Sequence, residues 1–311
     1  MNLRVAAIVG PTAVGKTDVS IEVAEALGAE IVSIDSMQIY RGMDAGTAKP
    51  SPGMRERVPH HLIDLKDPGH ELTVAEFQAL ARDAIADIAA RGRLPLLVGG
   101  SGLYFRAVVD DLVFPPTSPS VRRSLEEQAE SSGAEALHRR LQDLDPAAAA
   151  RIDPSNSRRT VRALEVIEIT GRPFSENAAW DRYESRYDLT VAGLRRERSE
   201  LDERIARRVR LMLESGLGEE VEELKGLPWS RAASHALGYR QVSEAASGVA
   251  GEHIGEQIAR ATRRFARRQE SWFGADPRIC WFMADSRTLT QELTTFFKKL
   301  PNQGGNRTKG S

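Results

Sequence analysis

Hydrophobic and polar positions follow two rhythms along this chain. Short, nearly continuous apolar runs at residues 5–9, 30–34 and 94–98 have the length and β-branched content of strands buried on both faces. Residues 18–27 and 73–91 instead repeat their apolar positions at helical spacing. The second stretch has Thr73 as N-cap, Glu76 at the capping-box position and Gly92 just beyond its end. Residues 59–64 (Pro-His-His-Leu-Ile-Asp) form a further short segment between a polar loop and that helix. Strands alternating with helices predict parallel βαβ units, hence an α/β fold with a parallel sheet flanked by helices. After Phe114 the strand rhythm stops. Residues 120–131, 135–143, 146–152 and 157–170 carry helical periodicity, and the last stretch is stopped by Gly171 and Pro173. A strand pattern returns at 188–193, followed by a helix at 199–215 and a last strand at 279–283. The expected layout is a discontinuous α/β core (1–117 and 186–300) with an all-helical insertion domain (118–185). The tail 301–311, poor in apolar residues, is expected to be disordered.

The first strand runs directly into Gly10-Pro11-Thr12-Ala13-Val14-Gly15-Lys16-Thr17, a G-x-x-x-x-G-K-T phosphate loop in its required strand–loop–helix setting. In that setting successive backbone N–H groups and the helix N-terminus converge on one anion. Lys16 adds a full charge, and the Thr17 hydroxyl is placed for a magnesium ion or its water shell. The chain is therefore expected to be P-loop NTPase-like and to bind a di- or triphosphate. In parallel sheets the ligand lies beyond the carboxyl ends of the strands. Three strand ends then surround one crevice: the phosphate loop, Asp35-Ser36, and residues 99–102. A P-loop enzyme that moves a γ-phosphoryl group normally has a second apolar strand ending in Asp. Here the strand 94–98 ends in Gly-Gly-Ser, which weakens ATPase and kinase readings. Asp35 is left to act as a general base next to the bound phosphates.

Composition adds exclusions. A single cysteine, Cys280, rules out an internal disulfide, and no apolar run approaches the length of a transmembrane helix. The apolar run at the N-terminus flows into the phosphate loop, which makes it a core strand and not a signal peptide. The chain reads as cytoplasmic, with no membrane partner, and nothing demands more than a monomer. Net charge is −1, but the cations are clustered. Arg195, Arg196, Arg198, Arg204, Arg207, Arg208 and Arg210 form one group. Arg260, Arg263, Arg264, Arg267 and Arg268 form another, on one broad helix face. Arginine suits bidentate phosphate contact, so a phosphate-rich polymer is expected as second substrate. His60 and His61 point apart on a strand and lack a third ligand nearby, which speaks against zinc. Trp272, Phe273 and Trp281 are expected in the core.

Seven ordered segments resemble the tRNA dimethylallyltransferases over nearly the whole globular chain: residues 10–17, 33–50, 59–64, 97–104, 158–165, 237–241 and 263–272. The resemblance implies transfer of a dimethylallyl group from dimethylallyl diphosphate to N6 of adenosine 37, next to the anticodon in tRNA, with release of diphosphate. It implies that the loop 10–17 holds the diphosphate with Mg2+ near Thr17. Asp35 would be the base, Lys16 and Arg208 would neutralise the leaving group, and Arg204 would lie one turn from Arg208. Ser101, where Thr is the usual residue, would sit near the amine. Asp35, Ser36, Met37 and Gln38 would contact the extruded adenosine, Gln38 reading a base edge. Arg122 or Arg123 would touch the anticodon stem, while Arg158, Arg159, Thr160, Val161 and Arg162 would contact tRNA, as would His235, Gly238, Tyr239 and Arg240. An alternative substrate is a free adenine nucleotide, as in the adenylate isopentenyltransferases; the helical insertion and the two Arg clusters favour tRNA.

Overall fold

In the computed structural model, which describes residues 2–176, 182–246 and 253–299, the apolar runs pair into one sheet. Its strands are β1 (Arg4–Val9), β2 (Ala29–Ser33), β3 (His60–His61), β4 (Leu94–Gly99), β5 (Asp188–Arg195) and β6 (Ile279–Met283). They are all parallel, in the order β3-β2-β4-β1-β5-β6. Val5, Ala6, Ala7, Ile8 and Val9 are completely buried, as a central strand covered on both faces requires.

The first half supplies α1 (Lys16–Leu27), α2 (Pro52–Arg57), α3 (Val74–Ala90) and α4 (Gly102–Val109). In α3 the buried Phe77, Ala81, Ile85 and Ile88 recur at helical spacing, and Phe77 meets Tyr104 of α4 edge-to-face at 4.5 Å. The Thr73 hydroxyl accepts from the Glu76 amide, as the capping pattern predicts, but the Glu76 carboxylate turns to His70 and Lys66. The connection from β1 to β2 passes β4 on one side, and that from β4 to β5 passes β1 on the other. The switch point between β4 and β1 opens a crevice at their carboxyl ends, where parallel sheets bind ligands.

A second compact unit, Asp111–Glu184, is helical: α5 (Pro119–Ser132), α6 (Ala134–Leu144), α7 (Pro146–Ala149) and α8 (Ser157–Thr170). It has its own small core, centred on Leu125, Leu137, Leu141 and Leu164. Its start lies at 111 rather than 118 because the proline segment is bound to these helices: the Arg162 guanidinium donates to the Pro115 and Pro116 carbonyls (2.8 and 3.2 Å). The other unit, Met1–Asp110 with Ser185–Ser311, is completed by α9 (Arg198–Glu214), α10 (Leu217–Leu224), α11 (Arg231–Ser234), α12 (Tyr239–Ala246), α13 (Ile254–Gly274) and α14 (Leu289–Lys298). The tail expected to be disordered, 301–311, lies outside the described residues.

Several boundaries differ from the pattern-based reading. The expected segment 59–64 shrinks to His60–His61, because Leu62 and Asp64 take positive φ (64° and 56°) and cannot continue a strand. The helices α2, α4, α10, α11, α12 and α14 carry ten residues or fewer, too short a window for a periodic signal. Trp272 is 38% exposed, not core, whereas Phe273 is buried and Trp281 half-buried.

Candidate active site

The phosphate loop leaves β1 at Gly10, where a Cβ would stand 2.6 Å from the Leu194 carbonyl of β5; only glycine permits that approach. Ala13 is left-handed (φ 64°), and Gly15 (φ 110°) is the N-cap of α1, so Lys16 opens the helix two residues before its apolar pattern begins. Two arginines from the β5–α9 region grip the outside of the loop. Arg204 donates to the Ala13 carbonyl (2.8 Å) and Arg196 more weakly to that of Val14 (3.4 Å). Arg204 thus shapes the cradle from behind.

Inside the cradle, the Lys16 ammonium donates to the Gly10 and Pro11 carbonyls (3.0 and 2.7 Å). Burial pushes its pKa down to about 7; the Asp35 carboxylate opposes this and the Arg208 guanidinium reinforces it. Arg208 is itself lowered by burial and supported by Asp35. Asp35, two residues past β2, accepts the Met37 amide at 2.9 Å on Oδ1, an Asx turn that aims the carboxylate. Lys16, Thr17, Asp35 and Arg208 therefore line one cavity, with Ile31, Val98 and Phe265 as apolar wall.

Other predicted positions divide by burial and partners. Of the phosphate-loop residues, Pro11 and Val14 are buried, so they serve the cradle through their backbone. Ser36 and Met37 are half-buried beside Asp35. Gln38 lines the cavity, but both ends of its amide are held by the protein: Nε2 donates to the Thr47 and Ala48 carbonyls (3.3 Å each) and Oε1 accepts from the Ser33 hydroxyl (2.9 Å). Ser101 stands at the N-cap of α4 and does not line the cavity; Gly99 and Gly100 do.

Among the expected tRNA contacts, Arg123, Arg158, Arg159, His235 and Arg240 are exposed. Thr160 and Val161 are not: both are buried, and the Thr160 hydroxyl donates to the Asn156 carbonyl. Arg122 and Arg162 both pair with Glu165, which is fully buried (2.8 and 2.7 Å), so they hold the helical unit together. Gly238 and Tyr239 are also buried, with the Tyr239 hydroxyl bonded to Glu220 and to the Gly46 amide. Burial removes Thr160, Val161 and Gly238 from the surface, while Arg122, Arg162 and Tyr239 spend their polar groups on protein partners.

The sequence reading missed Gln269. It is buried on α13, accepts from the Thr12 amide (2.8 Å) and donates to the Gly100 carbonyl (2.8 Å), stitching the cradle to the end of β4. Its place one turn after Phe265 on the inner face of α13, within the segment 263–272, is the sequence signal for it. His60 is among the residues that line the cavity, and its imidazole donates from Nδ1 to the Val58 carbonyl (2.7 Å), while His61 pairs with Glu30. No group of three His, Cys, Asp or Glu side chains fit to hold a metal occurs among the described residues.

The IPP transferase family model matches residues 38–276, and the isopentenyl transferase model matches residues 3–60. This chain belongs to the tRNA dimethylallyltransferase family. It is 54% identical over 281 residues to the tRNA dimethylallyltransferase of Streptomyces coelicolor, covering 89% of each chain. Among solved structures it is similar to the tRNA isopentenylpyrophosphate transferase of Bacillus halodurans (TM-score 0.71, 41% identity, 96% of each chain). It also resembles a eukaryotic dimethylallyltransferase acting on tRNA (TM-score 0.76, 26% identity, 91% of this chain and 74% of that one). No helix among the described residues is long and apolar enough to cross a membrane.

Proposed function

We propose that this chain transfers the dimethylallyl group of dimethylallyl diphosphate to N6 of adenosine 37 in tRNA, acting in the cytoplasm as a monomer. The observation that carries the reading is the meeting of Lys16, Thr17, Arg208 and Asp35 in one cavity that also has an apolar wall. The cations and loop amides suit a diphosphate, the apolar wall suits a five-carbon chain, and the carboxylate suits a proton acceptor. In the reaction the N6 lone pair forms a bond to the allylic C1. The C1–oxygen bond breaks, and its electrons leave with diphosphate. Asp35 accepts the N6 proton, because an exocyclic amine that is barely basic must lose it as it alkylates. Lys16, Arg208 and the loop amides offset the charge that builds on the leaving oxygen. A magnesium ion fits this donor set, since it takes phosphate oxygens and waters and needs only one or two protein oxygens, here the Thr17 hydroxyl. When bound, it supplies further neutralisation of the diphosphate. Reaching a loop base requires its extrusion into the crevice, which the exposed arginines support through phosphate contacts.

The test is Asp35→Ala. Label transfer from dimethylallyl diphosphate to an anticodon stem-loop is expected to fall 10²–10⁴-fold, with diphosphate binding retained. A variant that keeps more than about a tenth of the wild-type rate sinks general-base catalysis by Asp35. Offering AMP in place of the stem-loop distinguishes the free-nucleotide substrate, which is expected to accept no label.

A further inference from the structure

We propose that Glu220 and Tyr239 are positioning residues for the adenosine side of this crevice; the inference rests on the prenyl-transfer reading above. Neither lines the cavity. They capture three consecutive backbone amides of the segment behind it. The Asp44 and Ala45 amides donate to the Glu220 carboxylate (2.9 and 3.0 Å), and the Gly46 amide donates to the Tyr239 hydroxyl (3.1 Å). The Tyr239 hydroxyl in turn donates to Glu220. Burial and the neighbouring Glu220 push the phenol pKa up, which keeps it a neutral donor. Residue 46 is glycine for a steric reason: a Cβ there would lie 2.2 Å from the Tyr239 ring.

Lys49, whose side chain is 2% exposed, closes the far end of the segment on Asp44, Asp64 and the Tyr40 carbonyl. Between these two anchors, the Thr47 and Ala48 carbonyls are fixed in space with Ala48 at φ 50°, and both accept from Gln38. Gln38 accepts from the Ser33 hydroxyl (2.9 Å), which accepts from the Asp35 amide (3.4 Å). Two sets of hydrogen bonds, joined through the covalent backbone of residues 44–48, therefore connect Glu220 to the backbone of the proposed base. Gln38, with both ends of its amide engaged, serves this series as a strut and not as a reader of base edges. Networks of this kind have two-sided partners and lose geometry when one member is cut, and misplacement by about 1 Å costs about 10²-fold in rate.

The experiment compares Tyr239→Phe, Glu220→Gln and the double variant with the wild-type chain. It measures kcat at saturating stem-loop, Kd for the stem-loop, Kd for pyrophosphate and the melting temperature. The expected result is a fall in kcat of about 10- to 100-fold with both Kd values unchanged. The double variant should be no slower than the worse single one, because the two groups act as a unit. Unchanged kcat in both single variants overturns the proposal. So does a loss seen only as weaker stem-loop binding, which would put the Tyr239 ring against RNA. A kcat loss that vanishes when the assay is run well below a lowered melting temperature also overturns it. A wild-type chain that prenylates no tRNA would instead overturn the underlying reading.

Discussion

On the proposed function, Lys16 carries two duties that pull its ionisation in opposite directions. Holding a diphosphate demands the ammonium, while burial among loop backbone favours the neutral amine and brings its pKa to about 7. Between about pH 7 and 10.5 the folded chain binds fewer protons here than the unfolded chain, so this group makes stability rise with pH across that window. A bound diphosphate reverses the preference, so binding above pH 7 takes up a proton at Lys16. We predict that this proton uptake weakens pyrophosphate affinity by up to tenfold per unit above pH 7 in the wild type, and less in Lys16→Arg, whose guanidinium stays charged. Calorimetric titrations at pH 7.0 and 8.5 check it; identical slopes for the two proteins would remove Lys16 as the cause. Lys16, Thr17 and Asp35 are legible in the chain because each belongs to a local pattern, the first two to the phosphate loop that opens α1 and the third to the end of β2. The protein partners of the Gln38 amide are not legible, since the carbonyls it reaches belong to a segment with no pattern of its own.

Helix α13 joins the cradle to the cations through its two faces. Phe265 and Gln269 look into the crevice, while Arg264, Arg267 and Arg268 are exposed on the other side. Arg268 lies over the Phe265 ring (5.7 Å) and Arg260 is drawn toward Glu256 (3.3 Å), so of the exposed arginines on this helix Arg264 and Arg267 have neither an ion-pair nor a ring partner among the described residues. Removing both, as Arg264→Ala with Arg267→Ala, is expected to weaken stem-loop binding and reduce the salt slope by about 2, leaving pyrophosphate affinity unchanged. Filter binding across salt concentrations reads the slope, and an equal loss of both affinities would mean the face is structural. Helix α8 shows the opposite case. Arg162→Ala removes one of three donors to a buried Glu165, the others being Arg122 and the Ser118 amide, and frees two proline carbonyls, so a loss of about 1–3 kcal/mol in the helical unit is expected. Hydrogen exchange confined to α5 and α8 measures it; unchanged protection there would contradict the assignment. Periodicity identified both helices, yet an exposed cation and a paired one look alike in sequence. Glu165 lies 43 residues from Arg122, and nothing in either neighbourhood marks the pairing.

Across the whole chain, two compact units divide the work of folding. The all-helical unit buries its own leucine core, and the α/β unit builds the crevice from parts of the chain on both sides of that insertion. Strand identity, parallel pairing and the phosphate loop follow from the residues alone, because their signals lie within a few positions of one another: apolar runs, caps and the glycine spacing of the loop. The start of the insertion shifted by seven residues because a proline segment was claimed by a distant arginine. The same limit hid Gln269 on Thr12, Arg204 on Ala13, and the Glu220–Tyr239 pair on residues 44–46, partners separated by some 170 to 260 positions. Local chemistry determined where the phosphate loop forms and which carboxylate stands beside it. Only the closed fold decided which polar groups remain available to a substrate, because burial and long-range hydrogen bonding settle whether a side chain faces its ligand or the protein itself.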